Sequence, residues 1–164
     1  MSELNVLNRV VSKLNALPDS IRGKAISLLI GRTVRYAGTS NIYIEKLTTT
    51  ESIMRLKNKK KVQNHIGSIH AAAMALLAES ATGLLVGMNV PDSSIPVIKT
   101  LHVDYLKRCQ GDIKAVARLT KEQIEQITTT EKGEVVVEIT VTDEKGVEPI
   151  QCEMIWAWTS KIRK

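Results

Sequence analysis

The sequence predicts an α+β domain in which an antiparallel sheet of about six strands wraps around one long central helix, with two more helices at the N-terminus. Three observations carry this. Residues 69–87 are apolar or small on every face, so a helix there has no side fit for water. A stretch before residue 57 and most of the chain after residue 97 alternate β-branched and polar residues as strands do. A chain of 164 residues with 43% hydrophobic content is expected to form one domain, spanning residues 1–164, with a sizeable core.

An all-apolar helix must be enclosed either by lipid or by protein. His70 and Glu79 interrupt the run, Ala and Gly outnumber the large side chains, and no basic flank stands where an anchor would need one. The expected wrapper is therefore the sheet.

Taken in order, Leu4, Leu7, Val11 and Leu14 recur at helical spacing between Ser2 and Ala16, and Pro18 stops the run. Asp19 or Ser20 reads as an N-cap for a second helix through Ile21, Ala25, Leu28 and Leu29, with Gly31 suited to close it. Residues 1–31 thus make a helical extension that lies outside the domain or covers an opening. Asn41–Leu47 and Ser52–Leu56 read as two strands. The run Lys57–Lys61 breaks regularity, as a solvated loop or as a phosphate contact at the mouth of a site.

After the central helix, Asn89–Pro96 is turn chemistry. Strands follow at Val97–Arg108 and Ile113–Thr120, joined by Gln110-Gly111-Asp112, and a helical turn is expected at Lys121–Gln126. Glu134–Thr142 places Val135, Val137, Ile139 and Val141 inward. Asp143–Gly146 reads as a hairpin turn, and the last strand sets Ile150, Cys152, Met154, Trp156 and Trp158 on one face.

The formal charge of +6 favours an anionic partner or substrate. With two Trp, three Tyr and no Phe there is little on which to stack bases, and no nucleic-acid-binding motif appears, so neither nucleic acid nor membrane is expected as a partner. Cys109 and Cys152 fit no zinc or disulfide spacing, and no histidine groups with carboxylates at ligand spacing, so no metal is expected. Glu3, Asn5 and Asn8 stand where a signal peptide needs apolar residues, which points to a cytoplasmic protein.

Asn64, His65, His70 and Glu79 are the polar residues in or beside the central helix least expected to be buried without a role. The pattern Asn64-x-x-Gly67-x-x-His70, with Glu79 nine residues beyond His70, resembles the hotdog-fold acyl-CoA thioesterases of the phenylacetyl-CoA and hydroxybenzoyl-CoA thioesterase type, and within them a branch of unknown function. The similarity runs from Asn41 to Trp158 and includes Asp104-Tyr-Leu-Lys-Arg108, which looks like the strand beside the acyl-CoA channel in such proteins.

The resemblance implies a hotdog fold and hydrolysis of an acyl thioester of coenzyme A or of an acyl-carrier protein, without a cofactor, since coenzyme A is part of the substrate. It makes Glu79 the nucleophile or the base that activates water. Asn64 would position water or thioester, His70 would contact the substrate region, and the Ala71 and Ala72 N–H groups would polarise the carbonyl. Gly67, Lys60, Lys61, Lys107 and Arg108 complete the substrate-binding set, the cations as contacts for coenzyme A phosphates. Each also has a plain structural reading: Asn64 as a turn cap, His70 bonded locally, Gly67 at a positive φ, and Lys107 and Arg108 at a solvated strand end.

Physical reasoning supports the roles separately. A helix N-terminus offers unsatisfied N–H donors to an oxyanion, and a thiolate leaves readily, so one carboxylate can suffice. Nine residues of helix separate His70 from Glu79 by about 13 Å and roughly half a turn, so one helix cannot aim both at one thioester. A two-fold homodimer, alone or as a dimer of dimers, resolves this by sharing each site.

The sequence departs from its relatives in two places. Ala71-Ala72 stands where they usually have Gly-Gly, and Gly83 stands where many have Ser or Thr one turn after the acid, with Thr82 expected to point elsewhere. A non-catalytic acyl-CoA or acyl-carrier-protein binding module is therefore the alternative.

Overall fold

A computed structural model of the protein describes residues 5–161. The chain opens with α1 (Val6–Asn15) and α2 (Asp19–Thr33), then a short α3 (Arg35–Ser40) that Asn41 closes in the left-handed conformation, at φ 57°. Strands β1 (Tyr43–Leu47) and β2 (Glu51–Leu56) lead through a 3-10 turn at Lys60–Val62 to the long helix α4 (Ala71–Gly87). Then come β3 (Ser94–Tyr105), β4 (Ile113–Arg118), α5 (Lys121–Thr129), β5 (Gly133–Val136), β6 (Glu138–Asp143) and β7 (Ile150–Ser160).

Helix α4 is the centre of the molecule, as its sequence requires. Strands β2, β3, β4, β6 and β7 all pack on it, and Leu77, Ala78, Ala81, Leu85 and Val86 are fully buried. The strands form two antiparallel sheets, in the orders β1-β2-β4-β6 and β3-β7-β5. Among the described residues no helix is long and apolar enough to cross a membrane.

Several sequence expectations need correction. The described strands number seven, in two sheets, because the run Glu134–Thr142 is not one strand. It leaves β7 after Val136 and joins β4 at Glu138, while the Val137 N–H still donates to the Met154 carbonyl at 3.0 Å. Val135, Val137 and Val141 stay buried on both sides of the break, so the two-residue period is continuous across it and cannot reveal the change of partner. For the same reason neither Gln110–Asp112 nor Asp143–Gly146 makes a hairpin, since each carries the chain from one sheet to the other.

Gly31 does not end α2, which continues to Thr33. The glycine instead allows α3 to lie against α2: a Cβ on Gly31 would stand 3.0 Å from the Gly38 Cα, and one on Gly38 would overlap the Gly31 carbonyl. Asp19 is the first helical residue of α2 rather than its cap, with Pro18 in the cap position and the Asp19 carboxylate paired to Arg22 at 2.6 Å. Helix α1 starts at Val6 with Asn5 as its cap, and Leu4 lies outside the described residues. The expected inward face of β7 holds, with Ile150, Met154, Trp156 and Trp158 buried.

Candidate active site

The start of α4 is built by a tight loop. Gly67 adopts φ +75°, and the Asn64 side-chain oxygen accepts the N–H groups of Ile66 and Ser68, each at 3.1 Å. Arg108 ties this loop down: its Nε donates to Ser68 Oγ at 3.2 Å and a terminal nitrogen donates to the Ile66 carbonyl at 3.1 Å. The loop then delivers His70 as the N-cap of α4, where Nδ1 accepts the Ala72 N–H at 3.1 Å. A neutral ring that accepts at Nδ1 carries its proton on Nε2.

The two helix-start amides consequently differ. The Ala72 N–H is engaged by His70, whereas among the described residues nothing accepts a hydrogen bond from the Ala71 N–H. On the other side of Ala71, the Tyr105 hydroxyl donates to its carbonyl at 2.9 Å. His70 itself is exposed.

Two turns along α4, Glu79 sits in a different setting. It lines a half-open cavity of about 550 Å³ whose walls come from α1 (Val6, Leu7, Val10), α2 (Leu29, Ile30, Thr33, Val34), α4 (Ser80, Gly83, Leu84, Gly87), Pro96 and Trp156, with Asp92 also present. Burial pushes the Glu79 carboxyl up from its ordinary value, opposed by a long hydrogen bond of 3.4 Å from the Ser80 hydroxyl. A carboxylate on the wall of an apolar chamber, raised toward the working range of a base, is suited to taking a proton from water.

The chamber has a firm roof. Asn5 Nδ2 donates to the carbonyls of Gly87 at 2.7 Å and Val90 at 2.6 Å, Asn8 Nδ2 donates to Met88 at 3.1 Å, and the Val6 N–H donates to the Asp92 carboxylate at 3.0 Å. Helix α1 is thus latched onto the C-terminal end of α4. The floor is Trp156, whose Nε1–H donates to Thr82 Oγ1 at 2.9 Å, and Thr82 in turn donates to the Ala78 carbonyl. The Thr82 hydroxyl, which also reaches the Glu79 backbone carbonyl at 3.1 Å, is thus committed to the helix backbone and Trp156 rather than to the Glu79 carboxylate.

Within one chain, Glu79 is not brought together with the other candidates. Asn64, Gly67, His70, Ala71 and Ala72 gather at the start of α4, and none of them lines the Glu79 chamber. Gly67, Ser68 and Arg108 instead border a separate depression of about 340 Å³ with Asn58, Cys109, Gln110 and Gly111. Lys61 donates to the Thr39 carbonyl at 2.6 Å, fixing the end of α3, and Lys60 and Lys107 carry exposed side chains. Among the described residues no cluster of three or more His, Cys, Asp or Glu side chains is placed to hold a metal ion.

Sequence reasoning missed Ser80 and Trp156 at the site, and although it allowed residues 1–31 to cover an opening it did not connect α1 and α2 with Glu79. A serine directly after the acid lies about 100° around the helix, which hides its reach to the Glu79 carboxylate. The exposed Val6 and Val10 on α1 were the available signal, because apolar residues outside the core stripe of a short helix ask for a second surface to cover them.

No curated protein matches the chain. Among solved structures, a protein of unknown function from Pseudomonas aeruginosa, described as a probable thioesterase, is similar with a TM-score of 0.75 at 26% identity, over 88% of this chain and 97% of its own. A thioesterase from Haemophilus influenzae gives 0.64 at 13% identity, over 78% of this chain and 85% of its own. A mutant thioesterase from Pseudomonas aeruginosa gives 0.67 at 16%, over 82% and 94%. These likenesses bear out the hotdog fold expected from the sequence. The matching family, described as a domain of unknown function (DUF4442), covers residues 22–158, and the chain belongs to that family.

Proposed function

We propose that the protein is a thioesterase that hydrolyses an acyl thioester of coenzyme A or of an acyl-carrier protein, with Glu79 as the general base or nucleophile. The observation that carries the reading is a carboxyl group raised by burial on the wall of an apolar chamber. Ionised Glu79 takes a proton from water as that water attacks the carbonyl, or attacks the carbonyl itself to form an anhydride that water then cleaves, releasing the acid and restoring the carboxylate. The oxyanion is met by the free Ala71 N–H at a helix start, and the thiolate departs without a strong acid.

Strand β3 supports a site shared between two copies. It is an edge strand, its outer edge unpaired among the described residues, and Ile95, Val97, Ile98 and Leu101 on it are exposed. Such an edge invites pairing. Its Tyr105 end touches Ala71, and its Pro96 end lines the Glu79 chamber. An antiparallel pairing of two β3 strands about a two-fold near their midpoints would set the partner's Tyr105 and Ala71 beside Pro96 and Glu79 of the first copy. Light scattering at micromolar concentration should then read a dimer, and a monomer would remove the shared site.

The binding-module reading has its own support. His70 occupies the Ala72 N–H, and Gly83 offers no hydroxyl one turn beyond the acid. Free-thiol release from a panel of acyl-CoAs, wild type against Glu79→Gln, separates the two. The thioesterase reading expects turnover to fall by about two orders of magnitude or more. Equal activity in both proteins would take Glu79 out of the mechanism. Acyl-CoA that raises the melting temperature without releasing thiol would favour the binding module.

A further inference from the structure

We infer that the chamber beneath α1 and α2 is the tail site of the substrate, and that it selects a hydrocarbon acyl chain of medium to long length over a short or polar acyl group. This rests on the thioesterase reading, because it is Glu79 that places the reacting carbon at the chamber wall.

The lining is the first argument. Apart from Glu79 the side chains that bound the cavity are almost all apolar, chiefly Val10, Leu29, Leu84 and Trp156. Its other polar groups are already engaged. Ser80 bonds Glu79, the Thr33 hydroxyl donates to the Leu29 carbonyl at 3.2 Å, and Asp92 accepts the Val6 N–H. A hydroxylated or charged acyl group would enter without a partner for its polar atoms, whereas methylenes need none.

Capacity is the second. If a methylene takes the ~30 Å³ that a water molecule occupies in the liquid, a cavity of about 550 Å³ holds at most roughly eighteen carbons. The third is the origin of the walls. Val6 and Val10 are 54% and 37% exposed although α1 is latched in place by Asn5 and Asn8. Apolar side chains held rigidly around a void gain a covering surface when a hydrocarbon fills it. The helical extension is then the element that sets chain length, while α4 supplies the chemistry.

The test is kcat/KM for free-thiol release from acetyl-, hexanoyl-, decanoyl- and palmitoyl-CoA. In the wild type each added methylene should raise kcat/KM by up to about fourfold until the chamber is full. Val10→Phe and Leu29→Trp, which fill it from α1 and from α2, should lower the ratio of decanoyl- to acetyl-CoA turnover by about tenfold or more. Melting curves show which variants fold; Val10 is partly exposed, so its variant decides if Leu29→Trp does not, and the wild-type profile decides if neither folds.

A flat chain-length profile in the wild type, or a ratio unchanged in a folded variant, overturns the tail site and leaves the thioesterase reading standing. If the wild type releases thiol from neither acyl-CoA nor acyl-carrier-protein thioesters, the thioesterase reading fails instead, and the chamber is probed directly by calorimetric titration with decanoyl-CoA. Saturable binding that is lost in Val10→Phe upholds the hydrocarbon site; no binding overturns it.

Discussion

Replacing Gly83 with alanine sets two effects of opposite sign against each other. Intrinsic helix propensity favours alanine in the interior of α4 by about 1 kcal/mol. Packing opposes it. A Cβ at this position would come within 2.5 Å of the Trp156 Cη2 and 3.3 Å of its Cε2, and the ring cannot step aside easily. It is 6% exposed, and its Nε1–H is held at 2.9 Å by Thr82 Oγ1, which is itself bonded into the helix. Overpacking a rigid contact costs about 1–3 kcal/mol, and a displaced indole forfeits a hydrogen bond worth roughly 0.5–1.5 kcal/mol. The net expectation is a loss of about 1–3 kcal/mol. Urea denaturation followed by tryptophan fluorescence reads it as a lower midpoint with an unchanged slope. A variant as stable as the wild type, or more so, would mean that Trp156 yields at no cost and that the floor of the chamber is soft.

Two further outcomes test the roof and the acid. Asn5→Ala removes the cap of α1 and leaves the part-buried Gly87 carbonyl and the buried Val90 carbonyl without their donor, so unfolding free energy should fall by about 2–4 kcal/mol in chemical denaturation; a change within experimental error would show that α1 is not held by this latch. For Glu79 the folded-state carboxyl is raised by burial, so the folded protein binds its proton more tightly than the unfolded chain does. Stability should therefore fall as pH rises through the ordinary glutamate range toward the raised value. Glu79→Gln should match the wild type below that window and exceed it above, and the acid limb of kcat/KM should lie above an ordinary carboxylate's. A stability difference that does not change with pH would show that burial is not what governs this group.

The sequence made the buried helix legible because nothing but enclosure explains a run with no polar face, and Val135, Val137 and Val141 were placed inward by alternation alone. The same alternation hid the passage of the chain from one sheet to the other at Val137, since hydrogen-bond partners leave no mark on a pattern of faces. Asn64, Gly67 and His70 could be identified as a motif, yet their partners could not. That Asn64 closes a turn on Ser68, that Arg108 clamps it, and that His70 takes the Ala72 N–H are matters of side-chain direction. Gly31 looked like a helix terminator because glycine serves that end so often, whereas here it is a point of close approach between two helices. The chamber was out of reach for a plainer reason: its walls come from residues 6–34, 79–96 and 156, and no local spacing joins them.

That separation also fixes an order of events during folding. Asn5 finds its acceptors 82 and 85 residues further along the chain, and α1, at 10 residues, is too short to persist as a helix by itself in water. During synthesis α1 should then wait, without stable structure, until the turn after α4 has been made. A contact of such high sequence separation is expected to form late, on a core that already exists. Substitutions in the latch should then act chiefly on the unfolding rate and leave the folding rate nearly untouched. The part of the molecule that closes the chamber should then be the part that comes away first.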